Sequence, residues 1–200
     1  VAYRQERLDE KVLNRVILDY AIERRYFKDK FKKGEYSAPT CFSVGLDKSQ
    51  KGDMSPSSRS VEKQFDGKCS ECPLGVFGGD CAPYLRLLAY KVDGDVDKAT
   101  NRFKATAYHS DQLVILRVPA KSMKYWSNFV KQFLKKRDAH NNKISYPTFA
   151  YITQVSSAQC DPDDSSFYWQ FKAVTYVDQK ILLDSKTRRV EVSEGLTQEY

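Results

Sequence analysis

The sequence lacks long hydrophobic runs and has few of the residues that serve in most catalytic sites. No segment approaches the roughly 20 consecutive apolar residues that a membrane-spanning helix needs. The first residues show no basic-then-apolar export signal, and only two of the 200 residues are histidines. The sequence also lacks a GxxxxGK[ST] phosphate loop and a carboxylate pair spaced for two-metal chemistry. These absences predict a non-catalytic protein of the cytoplasm, without a membrane partner.

The charge is positive and unevenly distributed. The chain has 33 Lys and Arg against 26 Asp and Glu, for a net charge of +7. Between residues 119 and 145, seven basic residues accompany a single acidic residue, Asp138. Such a basic face suits a polyanion such as nucleic acid, although a solvated helix face has the same composition.

Five cysteines, an odd number, do not suggest a disulfide framework. The spacing is Cys69-x2-Cys72-x8-Cys81, and Cys41 lies 28 residues before Cys69. A C-x-x-C turn brings two thiolates to one metal ion, and four thiolates complete the tetrahedral shell of a structural zinc. We therefore predict one structural Zn²⁺, bound by Cys41, Cys69, Cys72 and Cys81.

Alternatives to this zinc assignment remain open. His109 or Cys160 could replace Cys41 as the fourth ligand, and reduced cysteines that simply pack together are the alternative to any metal. A zinc deaminase would need H-x-E ahead of the C-x-x-C pair, but both histidines follow the cysteines. A shell of four thiolates also leaves no position for an activated water, so the predicted site is structural.

The hydrophobic periodicity predicts a mainly β protein with helices. Residues 3–33 have helical spacing and predict an N-terminal helical arm over residues 1–34. Strands are expected at 83–92, 102–109, 112–118, 148–155 and 166–177, and a helix is expected at 119–137, between the third and the fourth strand. Three strands, one helix and two strands is the element order of the OB-fold, a five-stranded barrel. We expect an OB-like domain over 35–178, with a zinc subdomain at 41–81 and a charged tail at 179–200.

Four segments carry a resemblance to a known family. They are CFS (41–43), CSECPLGVFGG (69–79), CAPYLRLLAYKV (81–92) and ILRVPAKSMKYWSNFVKQF (115–133). This pattern resembles a family of small phage-encoded, zinc-containing proteins that bind single-stranded DNA, and it covers residues 38–155. The chain differs in its shorter glycine turn and in having Ala82 and Pro83 where relatives have a basic residue. The resemblance implies an OB-like fold and a role in phage DNA replication or recombination, with single-stranded DNA and other proteins of those processes as partners.

Basic and aromatic residues alternate on the predicted strands, as a surface that follows a single strand requires. In the segment 166–177 we expect Phe167, Trp169 and Phe171 to pack inward, and Tyr168 and Lys172 to face the ligand. Packing of each aromatic residue in the core is the alternative. The predicted nucleic-acid contacts are Tyr84, Arg86, Tyr90, Arg102, Lys104, Tyr108, Lys121, Lys124, Tyr168 and Lys172.

Two other functions are open at this point. In a structural or scaffold protein of a phage particle, the zinc and self-association through the N-terminal arm would serve assembly. An enzyme with an unrecognised site is the third hypothesis. Salt-dependent binding to oligo-dT distinguishes the first two hypotheses, and metal-dependent turnover would support the third.

Overall fold

Strands dominate the secondary structure. The computed structural model describes residues 12–29, 38–45, 54–76, 78–134, 136–137, 140–141, 143–144, 146–161, 164–192 and 196. The strands are β1 (Val12–Tyr26), β2 (Cys41–Gly45), β3 (Ala82–Asp97), β4 (Arg102–Pro119), β5 (Lys136–Arg137), β6 (Lys143–Ile144), β7 (Tyr151–Asp161) and β8 (Asp164–Tyr176). The two α-helices described are α1 (Met123–Leu134) and α2 (Gln179–Val192). The predicted class, mainly β with helices, is confirmed.

Six of these strands form one antiparallel sheet around β1. The order is β4–β3–β1–β7–β8, and β2 also pairs with β1. Strand β3 pairs along one edge of β1. On the other edge, β7 pairs with residues 12–16 and β2 pairs with residues 22–26. Strands β5 and β6 form a separate two-stranded ribbon.

The sheet is open, and it does not show the expected OB-like barrel of five strands. Strands β4 and β8 stand at opposite ends of the hydrogen-bonded order. The difference arises because β1 is inserted between β3 and β7, whereas the predicted barrel had no strand from this part of the chain. The segments predicted as separate strands at 102–109 and 112–118 are one continuous strand, β4. The helix predicted over 119–137 is confirmed for Met123–Leu134, as α1, whereas Pro119 ends β4 and Lys136–Arg137 form β5.

The prediction of an N-terminal helical arm is wrong for residues 12–26, which form the central strand. A register shift between Ile17 and Asp19 explains the helix-like pattern. Val16 and Leu18 pack on one face of the sheet, but beyond the shift Ala21 packs on that same face. A bulge thus breaks the period of two that identifies a strand. The described part of the arm lies inside the sheet and is not a free helix for self-association.

Helices α1 and α2 cover opposite faces of the sheet. Trp126, Phe129 and Phe133 of α1 pack on one face, in the cluster that includes Ile17 and Leu87. Part of α2 packs on the other face, so residues 179–192 of the predicted charged tail belong to the folded body. Neither helix, within the described part of the chain, has the length and apolar character needed to cross a membrane.

Candidate nucleic-acid interface and metal centre

Four cysteines from three segments meet beside the end of β1. Cys41 is the first residue of β2, and Cys81 directly precedes β3. Cys69 and Cys72 belong to the connection between these strands, and Cys72 caps the short 3-10 helix Pro73–Gly75. All four thiols are free. The strand pairing of β2 and β3 with β1 therefore brings the two outer cysteines to the C-x-x-C turn.

Backbone hydrogen bonds hold the cysteine connection in place. The Cys69 N–H donates to the carbonyl oxygen of Met54 at 2.6 Å, and the Cys81 N–H donates to that of Leu74 at 3.0 Å. The four cysteines line one small cavity of about 20 Å³. That volume has room for about one water-sized particle. We call these four residues the thiol cluster.

The electrostatics of the thiol cluster are set by burial and by Arg24. Burial raises the pKa of the Cys81 thiol to about 11 and also raises the pKa of Cys69, while the Arg24 guanidinium opposes both shifts. Arg24 Nη1 donates to the Gly75 carbonyl oxygen at 3.0 Å. The Cys69 thiol donates to Ser43 Oγ at 3.3 Å. A fixed positive charge beside the cluster favours thiolates over thiols.

The donor set is the one that structural zinc prefers. No three or more His, Cys, Asp or Glu side chains among the described residues stand in an arrangement ready to hold a metal ion. His109 Nε2 lies 2.6 Å from Asp93 Oδ2 in the β3–β4 hairpin, so this predicted alternative ligand has a different partner. The side chain of Cys160, the other alternative, lies outside the described residues.

Two residues of the predicted nucleic-acid surface are in the core, and that prediction is wrong for them. Arg86 is 4% exposed, lies 3.5 Å from Glu23 Oε2 through its Nε, and donates from Nη1 to the Leu196 carbonyl oxygen at 2.8 Å. Tyr90 is fully buried, and its hydroxyl is 2.8 Å from Ser185 Oγ of α2. Burial raises the pKa of Tyr90 to about 12. Tyr90 thus contacts α2 and Arg86 contacts Leu196, and both partners belong to the part of the chain that was predicted to be a charged tail.

A second group of predicted contacts lies on the β3–β4 hairpin, opposite acidic residues. Arg102 pairs across the strands with Asp97, and Lys104 pairs with Asp95. Opposite charges on directly paired residues offset one another. Tyr108 is half-buried and packs against the core. The hairpin therefore presents a nearly neutral surface, which a polyanion has little reason to bind.

Tyr84 lies against a cluster of charged side chains around the buried Glu23, which was not predicted from the sequence. The Arg25 guanidinium lies over the Tyr84 ring, 4.1 Å from its centroid. Glu23 is fully buried, and its carboxylate is 3.5 Å from Nε of both Arg86 and Arg117 and 3.9 Å from Nε of Arg25. We call these residues the Glu23 cluster. A charge alternation of this kind resembles an exposed face in sequence, although here Glu23 and Arg86 are almost fully buried.

The remaining predicted contacts gather where α1 meets β8. The rings of Tyr125 and Tyr168 stack with centroids 4.3 Å apart and planes 16° apart. Lys124 Nζ lies 4.9 Å from the centroid of the Tyr125 ring. Lys121 and Lys172 are exposed nearby on the short turn before α1 and on β8. The structure thus brings one aromatic pair and three lysines to one surface, which we call the α1–β8 surface.

A groove beside this aromatic pair is rich in amide side chains. Its volume is about 340 Å³. Its lining residues are Tyr125, Asn128, Phe129, Gln132, Gln154, Ser156, Gln170, Phe171 and Lys172. Gln170 Nε2 also donates to the Tyr168 hydroxyl at 3.0 Å. Among these lining residues, none is acidic and one is a lysine, so the amide groove offers both donors and acceptors beside a positive charge.

The β8 aromatics follow the predicted alternation only in part. Trp169 and Phe171 pack against the core beneath α1, as expected. The Trp169 backbone N–H donates to Ser122 Oγ at 2.9 Å, which fixes β8 to the turn before α1. Phe167 is 52% exposed, so the prediction that it packs inward is wrong. It lies near the β7–β8 turn, beyond the last core residue that this strand contributes.

Tyr125, Asn128 and Gln132 were not among the predicted contacts, although their spacing in the sequence indicates a common helix face. Residues 125, 128 and 132 follow helical spacing and therefore form one stripe on α1. Of the residues of this helix, only Lys124 was predicted as a nucleic-acid contact. The glutamines of β7 and β8 carry no comparable signal, because which strand lies beneath α1 depends on the sheet order.

Comparisons with known protein families, curated proteins and solved structures find no match for this chain. The functional inference therefore rests on the geometry of its own residues.

Proposed function

We propose that this protein binds single-stranded DNA without catalysis, and that the α1–β8 surface is the binding site. The observation that carries this proposal is the stacked pair Tyr125–Tyr168 with Lys124 above it. Proteins that bind single strands combine aromatic rings, on which bases stack, with cations that follow the phosphates. The role in phage DNA replication or recombination follows from the sequence resemblance alone.

The amide groove supports the same ligand. An unpaired base presents donors and acceptors on its edges as well as a flat apolar face. Phe129 and Phe171 supply an apolar surface in the groove, and the amides supply hydrogen-bonding groups beside it. Amides offer a donor and an acceptor together, so they can pair with any of the bases. This arrangement favours tolerant binding of single strands over recognition of one sequence.

We also propose that the thiol cluster binds one structural Zn²⁺ through Cys41, Cys69, Cys72 and Cys81. When bound, the ion would supply a closed tetrahedral shell and no catalytic position. Its effect would be to hold the connection between β2 and β3 against β1. The support is the convergence of four free thiols on one cavity.

Binding of oligo-dT is expected to weaken with salt. If Lys121, Lys124 and Lys172 each neutralise one phosphate, log K against log salt should have a slope of about −2. Fluorescence anisotropy at several salt concentrations measures this slope. Lys124→Ala should make it shallower by about 0.7, because one contact is lost. Lys186→Ala, an exposed change on α2, is the control and should leave it unchanged. A flat dependence, or equal affinity for duplex DNA, would contradict the proposal and favour the assembly role.

Tyr168→Ala is expected to weaken oligo-dT binding while the protein stays folded. Stacking contributes roughly 1–3 kcal/mol per base, so the loss should be about 5- to 150-fold. Tyr168→Phe keeps the ring and should retain most of the affinity. Trp169→Ala should instead lower the stability by about 3 kcal/mol or more, because it removes a ring packed beneath α1. Thermal midpoints and affinities of the three variants test this, and a folded Tyr168→Ala variant with normal affinity would overturn the site assignment.

A further inference from the structure

A second cavity lies on the other side of α1, between this helix and strands β1 and β3. Its volume is about 460 Å³. Its apolar walls include Ile22 of β1, Leu85 of β3, and Met123 and Val130 of α1. Small-molecule sites typically have volumes of about 300–1,000 Å³ and mostly apolar walls with a few polar groups. We call this space the apolar cavity, and it shares no lining residue with the amide groove.

Two cations stand among the apolar lining residues. Arg24 of β1 and Lys131 of α1 both line the cavity, and none of its described lining residues is acidic. Arg24 is already oriented, because its Nη1 donates to the Gly75 carbonyl oxygen at 3.0 Å. A ligand with an anionic group would therefore meet a positive site that requires little reorganisation.

Trp126 forms part of the inner wall of the apolar cavity and is only 3% exposed. Its indole N–H has almost no accessible surface, so a molecule in the cavity would pack against the ring and would not reach this donor. Trp126 therefore supplies apolar surface, and the polar recognition of a ligand depends on Arg24 and Lys131.

We propose that the apolar cavity binds a small amphipathic anion, with an apolar body in the cavity and a carboxylate or similar group at Arg24 and Lys131. A nucleobase fits this cavity poorly. Its edges carry several polar atoms, and the apolar walls would leave most of them without partners. An apolar carboxylate has its polar atoms at one end, so it can place them beside a cation and its body against the apolar walls. The proposal is independent of single-strand binding.

The test uses the purified full chain and two probes, anilinonaphthalene sulfonate and octanoate. The fluorescent sulfonate has an aromatic body and one anionic group, and it should bind with a stoichiometry near one per chain. Octanoate should displace it, whereas octanol and octylamine should displace it far less, because they lack the anionic group. Failure of octanoate to compete, or equal competition by octylamine, would overturn the proposal.

Single substitutions test whether octanoate binds in the apolar cavity. Lys131→Glu should weaken octanoate binding by about tenfold or more, because it reverses one of the two charges. Lys186→Glu, an exposed change on α2, is the matched control and should have no effect. Lys131→Glu should also reduce the rise in thermal midpoint that octanoate produces.

Competition with oligo-dT separates this proposal from the proposed function. Oligo-dT should not displace octanoate, and Tyr168→Ala should leave octanoate binding unchanged. If oligo-dT does displace octanoate and Lys131→Glu abolishes binding of both, the cavity belongs to the nucleic-acid surface. The proposal that it binds an amphipathic anion is then wrong. If oligo-dT does not bind at all while octanoate does, the proposed function fails and the cavity assignment stands.

Discussion

Cys72→Ser is expected to release the proposed zinc and to unfold residues 54–81 locally while the sheet stays folded. Structural zinc contributes on the order of 10 kcal/mol to the folding of small metallo-domains. The loss should remain local because neither of the two core clusters of the sheet contains a cysteine of the thiol cluster. Elemental analysis should show one zinc per wild-type chain and less in the variant. Limited proteolysis should show new cleavage between residues 54 and 81.

Cys160→Ser is the matched control for this experiment. It removes the one cysteine that is not part of the thiol cluster and should leave the zinc content unchanged. Chelation of the wild-type protein should reproduce the cleavage pattern of Cys72→Ser. Wild-type protein that contains no metal when purified under reducing conditions would end the zinc proposal. Loss of zinc in Cys160→Ser would show that the fourth ligand is Cys160 and not Cys41.

The convergence of the cysteines was predictable because it depends on local chemistry. A C-x-x-C turn brings its own two thiols together, and the tight glycine- and proline-containing connection returns the chain at Cys81. Cys41 was assigned as the fourth thiolate, and the pairing of β2 with β1 places it at the same cavity. Helix α1 was predictable for a similar reason, since its apolar stripe is regular over three turns.

The central strand could not be identified from periodicity. Strand β1 is buried on both faces, so its sequence has no polar side to reveal an alternation. The charged residues Arg15, Asp19 and Glu23 are four apart, which is the spacing of a helix face, yet all three are buried. Their burial depends on partners distant in the chain, as when Asp19 binds Arg189 of α2 at 3.0 Å. No local pattern contains that information.

Whether a predicted nucleic-acid contact is buried or exposed depends on what covers its face of the sheet. Alternation separates the two faces of a strand but does not say which face is exposed. Arg86 and Tyr90 were assigned to a free face, but α2 and Leu196 lie there. Lys124 and Tyr168 share a surface because α1 packs beside β8. The candidate site is therefore a product of helix docking, which the sequence order alone does not determine.

The Glu23 cluster joins neighbouring strands of the sheet through a buried charge. One fully buried carboxylate lies among three guanidinium groups, from Arg25, Arg86 and Arg117. The three arginines come from β1, β3 and β4, so the carboxylate joins three neighbouring strands. Removing one partner of a buried ion pair leaves an uncompensated charge in a region with little water.

Glu23→Ala is therefore expected to lower the free energy of unfolding by about 3–5 kcal/mol, the range for breaking a buried ion pair. Glu191→Ala removes a carboxylate from an exposed ion pair with Arg188 at 4.0 Å and is the matched control. Its effect should be within about 0.5 kcal/mol, as is usual for surface changes. Denaturant unfolding of both variants measures the difference. A loss below about 1 kcal/mol for Glu23→Ala would be typical of an exposed pair. It would mean that water reaches the cluster and that Leu196 does not seal this face, which would reopen Arg86 as a nucleic-acid contact.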